Sequence, residues 1–501
     1  MTTARNVILV SIISLAVLVL LLRWHPEDSA RAREPNTLLM YCAAGIKPPV
    51  EAVAQQYEQE YGGALQLQYG GSGTLLSNIR VAHRGDLFLA GDESYLHLAR
   101  KQGLVEEIIP LARMEPVIAF PKGNPKNIKS LEDLWRNDVA VVLANPDAAA
   151  IGRITRKILQ ETGRWESLKE KTKVFKPTVN DLANDVKLGT VDATIVWDAV
   201  ANQYPQLEWI RVSQFRRGVQ LVSIGILRSS TRPAAALRFA RYLGAPDKGL
   251  REFARLGYQP VEGDVWAEHP EISLFSGGVN RLAIRDTIRE FEIREGVTVL
   301  TSYNGCGILV AQMKAGQRPD AYFACDVSFM AQVQDLFLDS TDIAATNMVI
   351  VVAKDNPLGI HTLKDLTRPD LKLGVAHARQ SALGALTQRL LEETGLYEQV
   401  MAHVKSQTPT ADLLVNQMRT GSLDAVIVYE ANTPMVRDKL KIIKIDHPLA
   451  QAKQPFAIGK NSRYNYLVGR LLEKIASEKS KSRFEWAGFS WLLDKPKGNS
   501  D

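Results

Sequence analysis

Short apolar runs alternate along this chain with amphipathic stretches, and the alternation predicts strands and helices in turn. Residues 38–41 predict a strand, after which Pro48-Pro49 opens a helix whose apolar positions Val50, Val53, Ala54 and Tyr57 recur at helical spacing. Residues 65–69 predict a second strand, 74–80 the start of a second helix, 86–90 a third strand and 95–102 a third helix. Such alternation predicts an α/β fold with a mostly parallel sheet flanked by helices. The apolar runs 115–120 and 220–227 then flank a middle section with its own pattern: a strand at 139–143, a helix over 151–161 and a strand at 193–197. A section inserted between two crossing strands predicts a domain of two lobes joined by a hinge.

The whole pattern then recurs. Leu39-Met40-Tyr41-Cys42-Ala43-Ala44-Gly45 is echoed by Ser273-Leu274-Phe275-Ser276-Gly277-Gly278-Val279, and Tyr69-Gly70-Gly71-Ser72-Gly73 by Tyr303-Asn304-Gly305-Cys306-Gly307, both at an offset of 234 residues. Asp86-Leu87-Phe88 meets Asp320-Ala321-Tyr322 at that offset, and after a slip of two residues Asn124-Pro125 meets Asn356-Pro357 and Trp197 meets Tyr429. The second copy has its crossings near 347–353 and 454–459. A period this long means that each copy can bury its own core. The expected organisation is 1–24 a membrane anchor or signal, 25–36 a polar tether, 37–260 a first domain, 261–270 a linker, 271–493 a second domain and 494–501 a tail.

Composition adds little beyond ordinary globular character, with 46% hydrophobic and 23% charged residues. The net charge of +6 is spread along the chain without a basic, aromatic-interleaved run, so no nucleic-acid partner is expected. Residues 7–22 are uncharged and apolar between Arg5 and Arg23. They read as a membrane anchor more than as a cleaved signal, because the small-x-small triplet Ala30-Arg31-Ala32 lies far beyond them. Either way the remainder is expected outside the cytoplasm. Cys306 and Cys325 fall at predicted strand ends and either pair or stand as two small half-buried thiols. The eight histidines are scattered and no metal-ligand or nucleophile spacing occurs, so neither an enzyme nor a cofactor or metal site is expected.

The candidate chemistry lies in two small-residue loops, Cys42-Ala43-Ala44-Gly45 and Gly70-Gly71-Ser72-Gly73, each between a predicted strand and a predicted helix. Small residues let backbone N–H groups approach a ligand, and helix N-termini supply unsatisfied donors and a positive dipole end. A fully deprotonated tetrahedral oxyanion has only acceptor atoms and suits an all-donor pocket; monohydrogen phosphate needs an acceptor as well.

Taken together, the strand, the small-residue loop, the amphipathic helix, Tyr69-Gly70-Gly71-Ser72-Gly73-Thr74-Leu75 and Gly85-Asp86-Leu87-Phe88-Leu89-Ala90-Gly91-Asp92 resemble the start of periplasmic molybdate-binding proteins. The resemblance covers both copies and implies two tandem type II periplasmic-binding domains, each two-lobed and hinged. It implies solute-binding components of ABC importers, working with a permease and its ATPase. By that resemblance the ligand positions are Ser72, the backbone donors at Ile151 and Val179, and the pocket aromatic at Trp197, answered in the second copy by Cys306, Leu383, Ala411 and Tyr429. The loop residues Ala44 and Gly45 join them, as do Gly277 and, from hydroxyls in the loops, Ser276 and Ser381. The family's first-loop serine corresponds to Gly45 and Val279, so that hydroxyl is missing from both copies. Asp198 and Glu430 follow the pocket aromatics and, by strand alternation, point away if the aromatic faces the cleft. The expected function is capture of a small oxyanion, molybdate or tungstate, for an ABC importer. Sulfate, ferric iron held through Tyr429 and Glu430, or a sensor or scaffold role are the alternatives.

Overall fold

The computed structural model describes residues 37–172 and 174–493. The apolar run 7–22, the tether and the tail lie outside the described residues; among the described ones no helix is long and apolar enough to cross a membrane.

The first copy folds as two sheets with helices around them. One sheet has the order Gln259–Pro260, Val105–Met114, Gln220–Leu227, Leu87–Ala90, Leu38–Ala43, Leu65–Gly70. The other has the order Phe175–Lys176, Val141–Ala144, Ala193–Trp197, Pro116–Pro121, Leu207–Ile210. The first three strands in sequence pair in parallel, as the strand-helix alternation predicts, whereas Gln220–Leu227 returns antiparallel beside Leu87–Ala90. The chain leaves one sheet at Met114 and enters the other at Pro116, so Glu115 alone separates them. The crossing is therefore longer than the expected 115–120, because Val105–Met114 already belongs to the first sheet.

The second copy repeats this scheme in register: Cys42 pairs with Tyr69 and Ser276 with Tyr303. Its crossing is a single strand, Thr341–Ala353, whose first half pairs with Gln451–Ile458 and whose second half pairs with Ala425–Tyr429 and Leu440–Lys444. The expected start at residue 347 missed the first half because Thr341 and Asp342 are polar residues, held by pairing and not by apolar pattern.

The residues that both copies keep are mostly structural. Asp86 Oδ2 accepts from Leu39 N–H and Asp320 Oδ2 from Ser273 N–H, both at 2.8 Å. Asn124 and Asn356, at φ of 48° and 46°, each bracket a residue four positions on, accepting from its N–H and donating to its carbonyl. An asparagine tolerates the left-handed backbone there, and its amide closes a turn that spans the proline that follows, which has no N–H of its own to donate. Two hydrophobic clusters form, one within each copy.

Between the copies, Glu295 is 2% exposed and lies against Arg241 and Arg470, while Arg294 pairs with Glu106 and Glu107. Asp264 accepts from the N–H groups of Tyr466 and Leu467 at 2.9 and 2.8 Å, capping the helix Asn465–Ile475 from the connecting segment.

Candidate functional site

In the first copy three helices aim their N-termini at one cleft between the two sheets: Ser72–Ala82, Ala150–Glu161 and Val179–Lys187. The first two carry no side-chain cap, so their first-turn N–H groups, apart from that of Gly73, which donates to Ala148 O, stay open to a ligand. The short turn Ala44–Ile46 closes the fourth side, held by Tyr258 and Gln203, which donate to Gly45 O at 2.6 and 3.1 Å. All six positions expected in this copy, Ala44, Gly45, Ser72, Ile151, Val179 and Trp197, line the cleft, together with Thr178, Met114 and small residues. No charged side chain is among the lining residues.

Ser72 is 1% exposed, and its Oγ accepts from Gly91 N–H at 3.0 Å. With that lone pair engaged, the hydroxyl proton is free to be donated toward the cleft. Trp197 can only donate, through its indole N–H. The Thr178 hydroxyl is occupied, accepting from Asp181 N–H while donating to the Asp181 carboxylate. Side chains and backbone thus present donors in excess, without a carboxylate to repel an anion.

Small residues in the second loop, of which Gly70 and Gly71 line the cleft, also serve an end that the sequence did not suggest. A Cβ on Gly71 would lie 2.3 Å from Ala148 O and 2.5 Å from Pro177 O, and one on Gly73 would lie 2.1 Å from Asp147 O. Those carbonyls belong to the opposite lobe, and Gly73 N–H donates to one of them, Ala148 O, at 2.9 Å. These glycines let the lobes meet backbone to backbone. The same approach recurs at Gly305 and Gly307 against Gln380, Pro409 and Arg379.

Asp198 turns away from the cleft. Its Oδ1 accepts from Glu115 N–H at 3.0 Å and from Ala199 N–H at 2.8 Å, tying the end of the strand Ala193–Trp197 to the crossing. Burial pushes its carboxyl from 3.8 up to about 6, against the pull of its backbone donors. A carboxyl raised in this way contributes stability while protonated, below its unfolded value, and loses that contribution as the pH rises through about 6. Asp198→Asn should therefore gain on the wild type in unfolding midpoint as the pH goes from about 4 to about 7. An equal difference at both ends of a calorimetric pH series would show that this carboxyl does not titrate there.

The second copy has the matching cleft, with different contents. Ser381, Leu383, Ala411 and Tyr429 line it, as expected. Ser276, Gly277 and Cys306 do not; the lining turn is Gly278 and Val279, two residues further on, which are the true partners of Ala44 and Gly45 at the repeat offset. Ser276 is fully buried and its Oγ donates to Gly277 O. Cys306 is bonded to Cys325, and its sulfur accepts from Cys325 N–H at 3.0 Å, the counterpart of Ser72 and Gly91. A disulfide sulfur has no proton to donate, so the hydroxyl donor of the first cleft has no equivalent here. Tyr429 is 2% exposed, and Asp412 and Asn432, which sequence reasoning missed, also line this cleft. Comparing Asn432 with Val200 and Asp412 with Asn180 across the repeat is the signal that could have found them. Glu430 is not part of the lining, and no group of three His, Cys, Asp or Glu side chains is placed to hold a metal ion among the described residues.

The family model described as bacterial extracellular solute-binding protein matches residues 38–259 and again 272–490. The chain is 31% identical over 225 residues, 45% of its length, to a binding protein of Haemophilus influenzae, of which it covers 91%. Over 224 residues, 44% of its length, it is 25% identical to the molybdate-binding protein ModA of Mycobacterium tuberculosis, covering 82% of that protein. Among solved structures, the periplasmic molybdate-binding protein of Azotobacter vinelandii matches 44% of the chain and 98% of its own, at 19% identity and a TM-score of 0.38. This chain belongs to the bacterial extracellular solute-binding protein family and carries that family's module twice in tandem.

Proposed function

We propose that the chain captures a small, fully deprotonated tetrahedral oxyanion, molybdate or tungstate, in its first cleft and passes it outside the cytoplasm to an ABC permease and its ATPase, with residues 7–22 as the membrane anchor. The observation that carries this reading is the meeting of three helix N-termini with the Ser72 hydroxyl in a cleft lined by no charged side chain. Such a site neutralises an anion with backbone dipoles and donors alone. It offers no carboxylate or amide oxygen to accept from a protonated competitor. The name of the mycobacterial relative supports the same ligand class.

Calorimetric titration of the full chain with molybdate, tungstate, sulfate and ferric citrate tests the reading. Heat with molybdate or tungstate, and none with ferric citrate, is expected. In the Ser72→Ala variant the loss of one hydrogen bond to a charged ligand should weaken that binding by roughly 10–100-fold. Unchanged affinity would remove Ser72 from the site, and absence of heat with every oxyanion would overturn the proposal.

A further inference from the structure

The second cleft repeats the scaffold of the first but loses the hydroxyl donor of Ser72 and gains side-chain acceptors at Asp412 and Asn432. Where the first copy has Val200, the second has Asn432, 9% exposed and on the cleft lining. Its Nδ2 donates to Asp412 Oδ1 at 2.9 Å. An ionised carboxylate can only accept, so this bond fixes which way round the amide stands. Asn432 Oδ1 then faces away from Asp412, buried and without a hydrogen-bond partner among the described residues. The Tyr429 hydroxyl, on the same lining, is buried and without a partner too. Buried polar atoms are nearly always satisfied, and one left open in a cleft is satisfied by what binds there.

A fully deprotonated oxyanion would meet Asn432 Oδ1 lone pair to lone pair. The three helices Cys306–Lys314, Ala382–Glu393 and Ala411–Arg419 nevertheless begin at this cleft without side-chain caps, so negative charge is still favoured. Burial pushes the Asp412 carboxyl up from its ordinary 3.8, while the Asn432 amide and the positive charge of Arg281 pull the other way. An anion that also carries a proton meets both demands.

We propose that the second cleft selects an oxyanion bearing a hydroxyl at neutral pH, hydrogen phosphate or hydrogen arsenate, with Asn432 Oδ1 accepting its proton and the Tyr429 hydroxyl donating to an oxygen. This rests on the reading of these clefts as oxyanion sites and extends it to two specificities in one chain.

The test is titration of the full chain at neutral pH with inorganic phosphate and, separately, with molybdate. One phosphate per chain is expected, undisplaced by molybdate. Asn432→Leu, similar in shape and without the acceptor, should weaken phosphate at least tenfold and leave molybdate binding unchanged; Ser72→Ala should do the reverse. If Asn432→Leu lowers the unfolding midpoint, Tyr429→Phe, which removes a single hydroxyl, makes the same comparison. Phosphate affinity unmoved by either variant, or phosphate competing with molybdate for one site sensitive to Ser72, would overturn the proposal. Heat with molybdate and none with phosphate would overturn it while leaving the first-cleft reading intact; heat with neither would remove both.

Discussion

Replacing Gly73 by alanine is expected to weaken oxyanion binding in the first cleft by roughly 10–100-fold while leaving the chain as stable as before. Gly73 lies in the first turn of the helix Ser72–Ala82, where alanine is conformationally at ease and is the better helix former by up to about 1 kcal/mol. Within its own lobe the change costs nothing. The added methyl, however, would stand 2.1 Å from Asp147 O across the cleft, and a backbone carbonyl cannot swing aside as a flexible side chain can. The lobes must stay apart, and the donors of the helix Ala150–Glu161 then fall short of a ligand held by Ser72. Overpacking of this kind costs about 1–3 kcal/mol, here charged to closure and not to folding. Gly71→Ala meets two carbonyls at once and should act in the same direction. The measurement is a pair: molybdate affinity by calorimetry and the unfolding midpoint of the same variant. A fall in midpoint with affinity retained would show that the glycine serves folding of its own lobe, and that the close approach is dispensable for capture.

That glycine also shows where reading the sequence succeeds and where it stops. Residues 220–227 and 193–197 emerge as strands with the expected bounds, Gln220–Leu227 and Ala193–Trp197, because both are mostly apolar, the second buried throughout and the first from Val222 onward. Pro48-Pro49 suits the first turn of a helix, where no N–H is needed, and the helix Lys47–Tyr61 begins there. The six first-copy positions, four of them implied by the family resemblance, meet in one cleft because strand-to-helix loops of one fold converge there.

What pattern cannot supply is contact across space. Gly71 and Gly73 look like room for a ligand, and only the opposite lobe's carbonyls reveal another reason for them. Ser276 looks like a donor because it is a hydroxyl in the right loop, yet the repeat offset alone puts it opposite buried Cys42 and hands the lining to Gly278 and Val279. Asn432 acquires meaning only from Asp412, twenty residues earlier in the chain, whose carboxylate orients it. The acids that the copies share, Asp86 with Asp320 and Asp192 with Asp424, hold strands together by accepting from backbone N–H groups. The duplication therefore preserved the staples of the scaffold and let the cleft side chains change.

The contact between copies should prove as consequential for stability as Gly73 is for binding. Glu295 ends the helix Arg281–Glu295 of the second copy, and its carboxylate accepts from Arg470 Nε and Nη2 at 2.6 and 3.0 Å and from Arg241 Nη1, of the first copy, at 3.1 Å. At the matching place in the first copy Arg238 instead stacks over Tyr61, so the acid is specific to the contact. Burial pushes the Glu295 carboxyl up, but Arg470 and Arg241 together hold it below its ordinary 4.5. A carboxyl lowered in this way contributes its stability above the unfolded value and loses it as the pH falls through the folded one. Glu295→Ala would leave two guanidiniums buried and facing each other, a loss of about 3–5 kcal/mol. Because Arg241 comes from the first copy while Arg470 and Glu295 belong to the second, the loss falls both on the docking of the copies and on the second copy itself. Calorimetry at neutral pH should show the main transition moving down and dividing in two, and the wild type should approach the variant as the solution is acidified below the ordinary carboxyl range. Replacing all three charges together by leucine or methionine should recover most of the loss, since the expense lies in the unpaired charge and not in the missing pair. A single transition within about 1 kcal/mol of the wild type in Glu295→Ala would mean that water reaches the arginines and that the copies are held by their apolar contacts instead.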